Sequence, residues 1–101
     1  MNKYVSKENG VTPLSDYETE QLSEVMQMCE NDEWKAWKNL NGGYAECKFL
    51  DFDDEIVQFD LEYGQQDMGG GGMDYTDNIT IERKVLADKK LSIREKVAET
   101  N

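Results

Sequence analysis

The sequence predicts an α+β domain: one or two N-terminal helices on a three-stranded, mainly antiparallel sheet, followed by a short C-terminal helix. Three observations carry that expectation. Val57, Phe59, Leu61 and Tyr63 share one parity while Gln58, Asp60 and Glu62 share the other, the alternation of a half-buried strand. Ser15-Asp-Tyr-Glu18 is a capping box that opens an apolar stripe of Tyr17, Leu22, Val25, Met26 and Cys29 at roughly helical spacing. Asn78-Ile-Thr-Ile81 again alternates and is rich in β-branched residues.

Taken in order, residues 1–13 are polar with a late Gly and Pro, and read as a flexible lead-in with Tyr4 and Val5 tacked to the body. In the first helix, Asp16, Glu18 and Glu20 crowd the end where the macrodipole favours negative charge. Glu30-Asn-Asp-Glu33 interrupts the stripe, so Asn31 or Asp32 could cap a second helix over Glu33–Leu40; one long kinked helix fits as well. Trp34, Trp37 and Leu40 share a face and read as core, and Asn41-Gly42-Gly43 ends the helix. A hairpin over Tyr44–Tyr63 follows. Its first strand switches parity at Phe49-Leu50, which predicts a β-bulge or the start of the turn. Residues 64–74 contain four consecutive glycines and read as a flexible loop, with Met68 and Met73 as adaptable apolar tips. Tyr75–Val85 is the third strand; Asp88-Lys-Lys90 could be a turn, or 82–98 one basic helix, and Ser92-Ile-Arg-Glu95, a second capping box, favours a short helix over Ile93–Glu99.

The 101 residues make one domain. Hydrophobic content is only 38 %, so the aromatic residues must supply much of the buried area. Net charge is −11, and it is uneven: residues 15–78 hold 17 of the 22 acids and three of the 11 bases. Such a surface disfavours direct nucleic-acid binding, which needs clustered Lys and Arg, and favours a basic partner. Without a signal-peptide pattern or a long apolar run, the expected location is the cytoplasm and no membrane partner is expected. Cys29 and Cys47 read as reduced core residues, since there is no CxxC and no histidine.

Glu46-Cys-Lys48 has the E-x-K shape of restriction-type nucleases but lacks the Asp on an earlier strand that such sites need. Asp51-Phe-Asp-Asp-Glu55 lacks the Gly and the spaced Glu of an EF-hand loop. The glycine run has no Lys and does not match a phosphate-binding loop. Asp60 and Glu62, on an open strand face, lack the burial that tunes an acid/base pair. The expectation is therefore a protein that is not an enzyme and holds no metal or cofactor.

The acidic surface carries the functional expectation. Alternate residues on a strand lie about 6.6 Å apart, close to the axial step between alternate phosphates of one DNA strand. Glu46, Asp51, Asp53, Asp54, Glu55, Asp60, Glu62 and Asp67 are therefore the candidate partner-binding residues. In size, acidity and carboxylate density over 46–67, the chain resembles the small DNA-mimic inhibitors of phages and mobile elements. That resemblance implies a stoichiometric inhibitor occupying the nucleic-acid site of a host defence enzyme, with anti-CRISPR the leading subtype and a Cas nuclease among the targets. Two alternatives stand beside it: an immunity protein or antitoxin against a nuclease toxin, and an accessory subunit bound through Trp34, Trp37 and the glycine loop.

Overall fold

The computed structural model describes residues 3–66 and 72–101. The chain forms α1 (Asp16–Trp37), β1 (Gly43–Phe52), β2 (Ile56–Gln65), β3 (Met73–Glu82), α2 (Arg83–Leu86) and α3 (Ile93–Ala98). The three strands make one antiparallel sheet in the order β1-β2-β3. This is the α+β architecture the sequence predicts.

Helix α1 starts where expected. Ser15 Oγ accepts from the Glu18 amide, and the Ser15 amide donates to Glu18 Oε1, both at 3.0 Å. The helix then runs through Glu30–Glu33 without a break, so the two-helix alternative is set aside. The polar residues there bond sideways and do not act as caps. Gln27 Nε2 donates to Glu30 and Asn31 on the helix surface, Glu30 Oε1 accepts from the Cys47 amide, and Asp32 forms a bidentate pair with Arg94 of α3.

One face of the sheet packs beneath α1. Leu22, Val25, Met26 and Cys29 meet Val57, Phe59 and Ile81, with Leu14, Phe52 and Leu86 closing the ends. The register pairs Cys47 with Leu61 and Phe49 with Phe59, then slips by one residue between Phe49 and Asp51. This is the expected bulge, and it returns Phe52 to the inner face opposite Val57. The two cysteines are free, Cys29 buried and Cys47 half-buried.

Three expectations are corrected. The tryptophans are not core: α1 overhangs the packed region, Trp34 is 40 % exposed, and Trp37 packs at a tilt against Tyr63 and Tyr75 at the far end of the sheet. The third strand stops at Glu82, not Val85, because Arg83 turns inward. The strands also take both ends of the glycine-rich segment, with Gly64 and Gln65 in β2 and Met73 and Asp74 in β3; Asp67 and Met68 lie outside the described residues. The lead-in has no regular structure beyond bends and a turn, but it is anchored. Tyr4 is buried, bonds Ser23 and packs at a tilt against Phe49, while Val5 is 68 % exposed.

Arg83 joins these parts. Nε and Nη2 donate to both Glu18 oxygens at 3.0 and 3.1 Å. Nη1 donates to the carbonyls of Thr12 and Asp53, and Nη2 to that of Pro13. All five guanidinium donors are thereby used. The cation also lies over the Phe52 ring, 5.4 Å from its centroid. Burial pushes the Glu18 pKa up, but the bonds from Arg83 and Ser15 outweigh it and hold the carboxyl below its ordinary value.

Arg83→Lys keeps the charge but loses the planar fork, and should cost about 3 kcal/mol of unfolding free energy, read as a lowered urea midpoint. Because the folded-state pKa of Glu18 is depressed, its contribution is complete above the unfolded value and is lost as pH falls through the folded one. Glu18→Gln should therefore flatten the stability-against-pH curve below about pH 5.

Candidate interaction surface

The outer face of the sheet is uncovered by any helix among the described residues, and the strand register decides what lies on it. Glu46 pairs with Glu62, Lys48 with Asp60, Asp60 with Asn78, and Glu62 with Thr76. These residues share the parity opposite to the core residues Val57, Phe59 and Leu61, so all point outward. Directly opposed side chains on such strands sit about 5 Å apart at Cβ, which sets Glu46, Glu62 and Asp60 together as one acidic group.

That group is partly balanced. Lys48 Nζ lies 2.8 Å from Glu62 Oε2, the Lys48 side chain exposed and that of Glu62 partly buried. The bond to Glu62 holds the Lys48 ammonium above its ordinary pKa, with Glu46 and Asp60 adding to the effect. Asn78 Nδ2 donates to Asp60 Oδ1 at 3.2 Å. Glu46 is exposed.

The hairpin-tip acids lie at the other end of the sheet, and three of them serve the fold. Asp53 Oδ1 accepts from the amides of Glu55 and Ile56 at 2.7 and 2.8 Å, closing the β1–β2 turn. The Ile56 and Glu55 bonds hold its carboxyl below the ordinary range. Asp51 Oδ1 accepts from the Lys7 amide, which lowers its pKa in the same way. Asp54 Oδ1 accepts from the Thr12 amide and lies 3.9 Å from Arg83. Glu55 is exposed; its backbone amide donates to Asp53 and its carbonyl accepts from the Arg83 amide. Of the eight candidate residues, then, Glu46, Asp60 and Glu62 share the open face, Asp51, Asp53, Asp54 and Glu55 sit at the tip, and Asp67 lies outside the described residues.

Sequence reasoning missed Tyr44 and Asp74, which extend the outer face away from the tip. They flank Gly64 on neighbouring strands, and the Tyr44 hydroxyl donates across it to Asp74 Oδ1 at 2.5 Å. Gly64 has φ +148°, and a Cβ there would meet the Met73 carbonyl oxygen at 1.9 Å, so only glycine leaves room for this bridge. The signal lay in that glycine, the one interruption of the β2 alternation. Also missed was the aromatic group on the inner face, where Tyr63 and Tyr75 stack at 5.5 Å beside Trp37 and the Tyr63 hydroxyl donates to Asp77.

Among the described residues no group of three acidic or cysteine side chains is placed to hold a metal ion, and no helix is long and apolar enough to cross a membrane. Compared with known proteins, the chain matches no family model, no curated protein and no solved structure.

The bond to Asp74 pushes the Tyr44 pKa up to about 12, so the bond persists at neutral pH and is lost only as pH rises through that value. Ultraviolet titration should show a late-ionising tyrosine that Tyr44→Phe removes and Asp74→Asn returns toward the ordinary range.

Proposed function

We propose that this chain is a non-enzymatic inhibitor that lays its open sheet face against the basic nucleic-acid-binding groove of a host defence nuclease, in the manner of an anti-CRISPR DNA mimic, within the bacterial cytoplasm. The observation that carries the reading is the uncovered face on which Glu46, Asp60 and Glu62 converge from two adjacent strands with one cation, Lys48, among them. A cationic groove would attract this face at long range, and a salt-sensitive, fast association follows from that physics. Lys48 need not be lost: its ammonium can swing from Glu62 to a backbone carbonyl or to water when an arginine takes its place. The tip residues Asp51, Asp53 and Asp54 contribute field but not reach, because their oxygens already hold the lead-in and the turn.

A second reading, the accessory subunit, is favoured by one observation: Leu40, Met73, Tyr75 and Trp34 are all at least 40 % exposed at one end of the domain. Exposed aromatic and Met side chains are what partner contacts use. An immunity protein would engage its toxin through the same acidic face as the inhibitor.

Replacing Glu46, Asp60 and Glu62 together by Gln, Asn and Gln should leave the circular-dichroism spectrum and melting temperature within a few degrees of the parent. In a pull-down from bacterial lysate, the parent should retain a basic nucleic-acid-binding protein at low salt and release it to excess duplex DNA or about 0.5 M NaCl, while the triple variant fails to retain it. Capture of the same protein by the triple variant with unchanged salt dependence refutes the mimic reading; capture that resists high salt and needs Trp34 and Tyr75 selects the subunit reading.

A further inference from the structure

A sheet's outer strands carry unpaired amides and carbonyls, and folded proteins cover or blunt them. Parts of both edges of this sheet are covered. On β1 the Cys47 amide donates to Glu30 of α1, the Phe52 carbonyl accepts from Ser6, and the Gly43 amide is held by Leu40. On β3, Thr80 exchanges both backbone bonds with Asn101, at 3.2 and 3.0 Å, as if Asn101 were a one-residue fourth strand.

That exchange also fixes which way the rest of β3 points. Thr80 turns its amide and carbonyl away from β2, and the β2–β3 register runs without a slip from Ile56/Glu82 to Gln65/Met73. By the alternation of an antiparallel ladder, Asn78, Thr76 and Asp74 also direct their backbone groups outward. Among the described residues nothing bonds them there, and residues 73–78 are all exposed. Asp74–Asn78 is therefore an open edge, bounded on one side by Asn101.

We infer that this edge pairs with the same edge of a second copy, antiparallel about Thr76, to give a two-fold dimer with a continuous six-stranded sheet. The sequence Asp74-Tyr-Thr-Asp-Asn78 is self-complementary in that register. Asp74 faces Asn78 of the other copy, an acceptor against an amide donor. Thr76 faces Thr76. Tyr75 faces Asp77 of the other copy, a hydroxyl donor against a carboxylate, the same pairing that Tyr63 already makes with Asp77 inside one chain. No carboxylate opposes another, although two of the five residues are acidic. A shift of two residues in either direction would set Asp74 against Thr76 or bring Asn101 into the interface, so one register is selected. Three hydrogen-bonded residue pairs exchange about six backbone bonds. On the inner face the exposed Met73 and Tyr75, 49 % and 44 % open, gain cover from the second copy. On the outer face the two acidic groups join into one surface.

The net charge of −11 opposes the association of two copies, so the dimer strengthens as salt screens that repulsion. Salt therefore separates this inference from the proposed function, because binding to a cationic partner weakens under the same change. Sedimentation equilibrium of the full chain between about 1 µM and 1 mM should show the mass rising from 11.6 kDa toward twice that value, with a larger dimer fraction at about 0.5 M than at 0.05 M NaCl. Thr76→Pro removes an outward amide that β2 does not use, a position where an edge strand tolerates proline. Thr76→Lys keeps the amide but opposes two ammonium groups across the axis. Each should raise the dissociation constant at least tenfold while leaving the melting temperature within a few degrees of the parent. A parent that stays at 11.6 kDa throughout overturns the inference and leaves the edge to a foreign strand; dimers that both variants form as readily as the parent overturn it too.

Discussion

Arg83 sits where four stretches of chain meet: the lead-in at Thr12 and Pro13, α1 at Glu18, the hairpin turn at Asp53, and the β3–α2 junction that bears it. A buried ion pair is a weak source of net stability when set against a well-packed apolar alternative, but breaking one is costly. Its value here is geometric. The fork fixes the start of α1 relative to the end of β3, and with it the angle at which the helix lies on the sheet. Once that angle is fixed, Val25 and Met26 cover β1 and β2, the outer face stays bare, and the C-terminal turns of α1 overhang with their tryptophans. Lys96 repeats the device without a counter-ion: it is fully buried, and its ammonium is met by Gln21 Oε1, the Leu86 carbonyl and the Tyr17 hydroxyl. Two of the 11 basic residues thus sit inside. Among the described residues only one acid, Glu18, accompanies them, so their solvent-facing charge is more negative than their composition suggests.

That charge is unevenly used. The acids at the hairpin tip resemble a binding patch by density alone, but Asp53 shapes its own turn while Asp51 and Asp54 hold the lead-in. Carboxylates spent on backbone amides in this way are poor candidates for a partner's cations, since engaging one would release the segment it holds. The face acids differ. Glu62 is paired with the exposed Lys48, Asp60 is bonded to an amide side chain, and Glu46 lies open. Asp53, in the turn, bonds the amides of its own neighbours, whereas Asp51 and Asp54 bond amides of the lead-in that passes beside the tip.

Much of the fold was legible from the sequence because it rests on local rules. Both capping boxes, the parity of β2 and the parity switch at Phe49-Leu50 all depend on residues within a few positions of each other, whereas the helix expected to reach Leu40 ends at Trp37. What escaped depended on distant partners. Nothing near Asn31 or Asp32 shows that Glu30 will bond Cys47, or that Asp32 will bond Arg94, and these contacts carry the helix through a stretch that resembles a break. Trp34 and Trp37 read as core on size alone, yet their burial depends on whether sheet extends beneath them. Arg83 read as part of the third strand; its role requires Glu18, 65 residues earlier. The candidate surface was legible as a list of acids but not as a map, because strand parity separates face from core and says nothing of which carboxylates a turn will claim.

The span of the Arg83 contacts also bears on how the domain comes into being at the ribosome. Its partners at Thr12, Pro13 and Glu18 are all made long before it, and Ile81, which fills the centre of the core, is made only just ahead of it. Helix α1 and the first hairpin can form early, but with a carboxylate awaiting its cation and an apolar face awaiting its last strand. The nascent chain must remain open until most of it has been translated, so the domain closes late and in one cooperative step. During that interval the high density of like charge is an asset, since it keeps neighbouring unfinished chains apart.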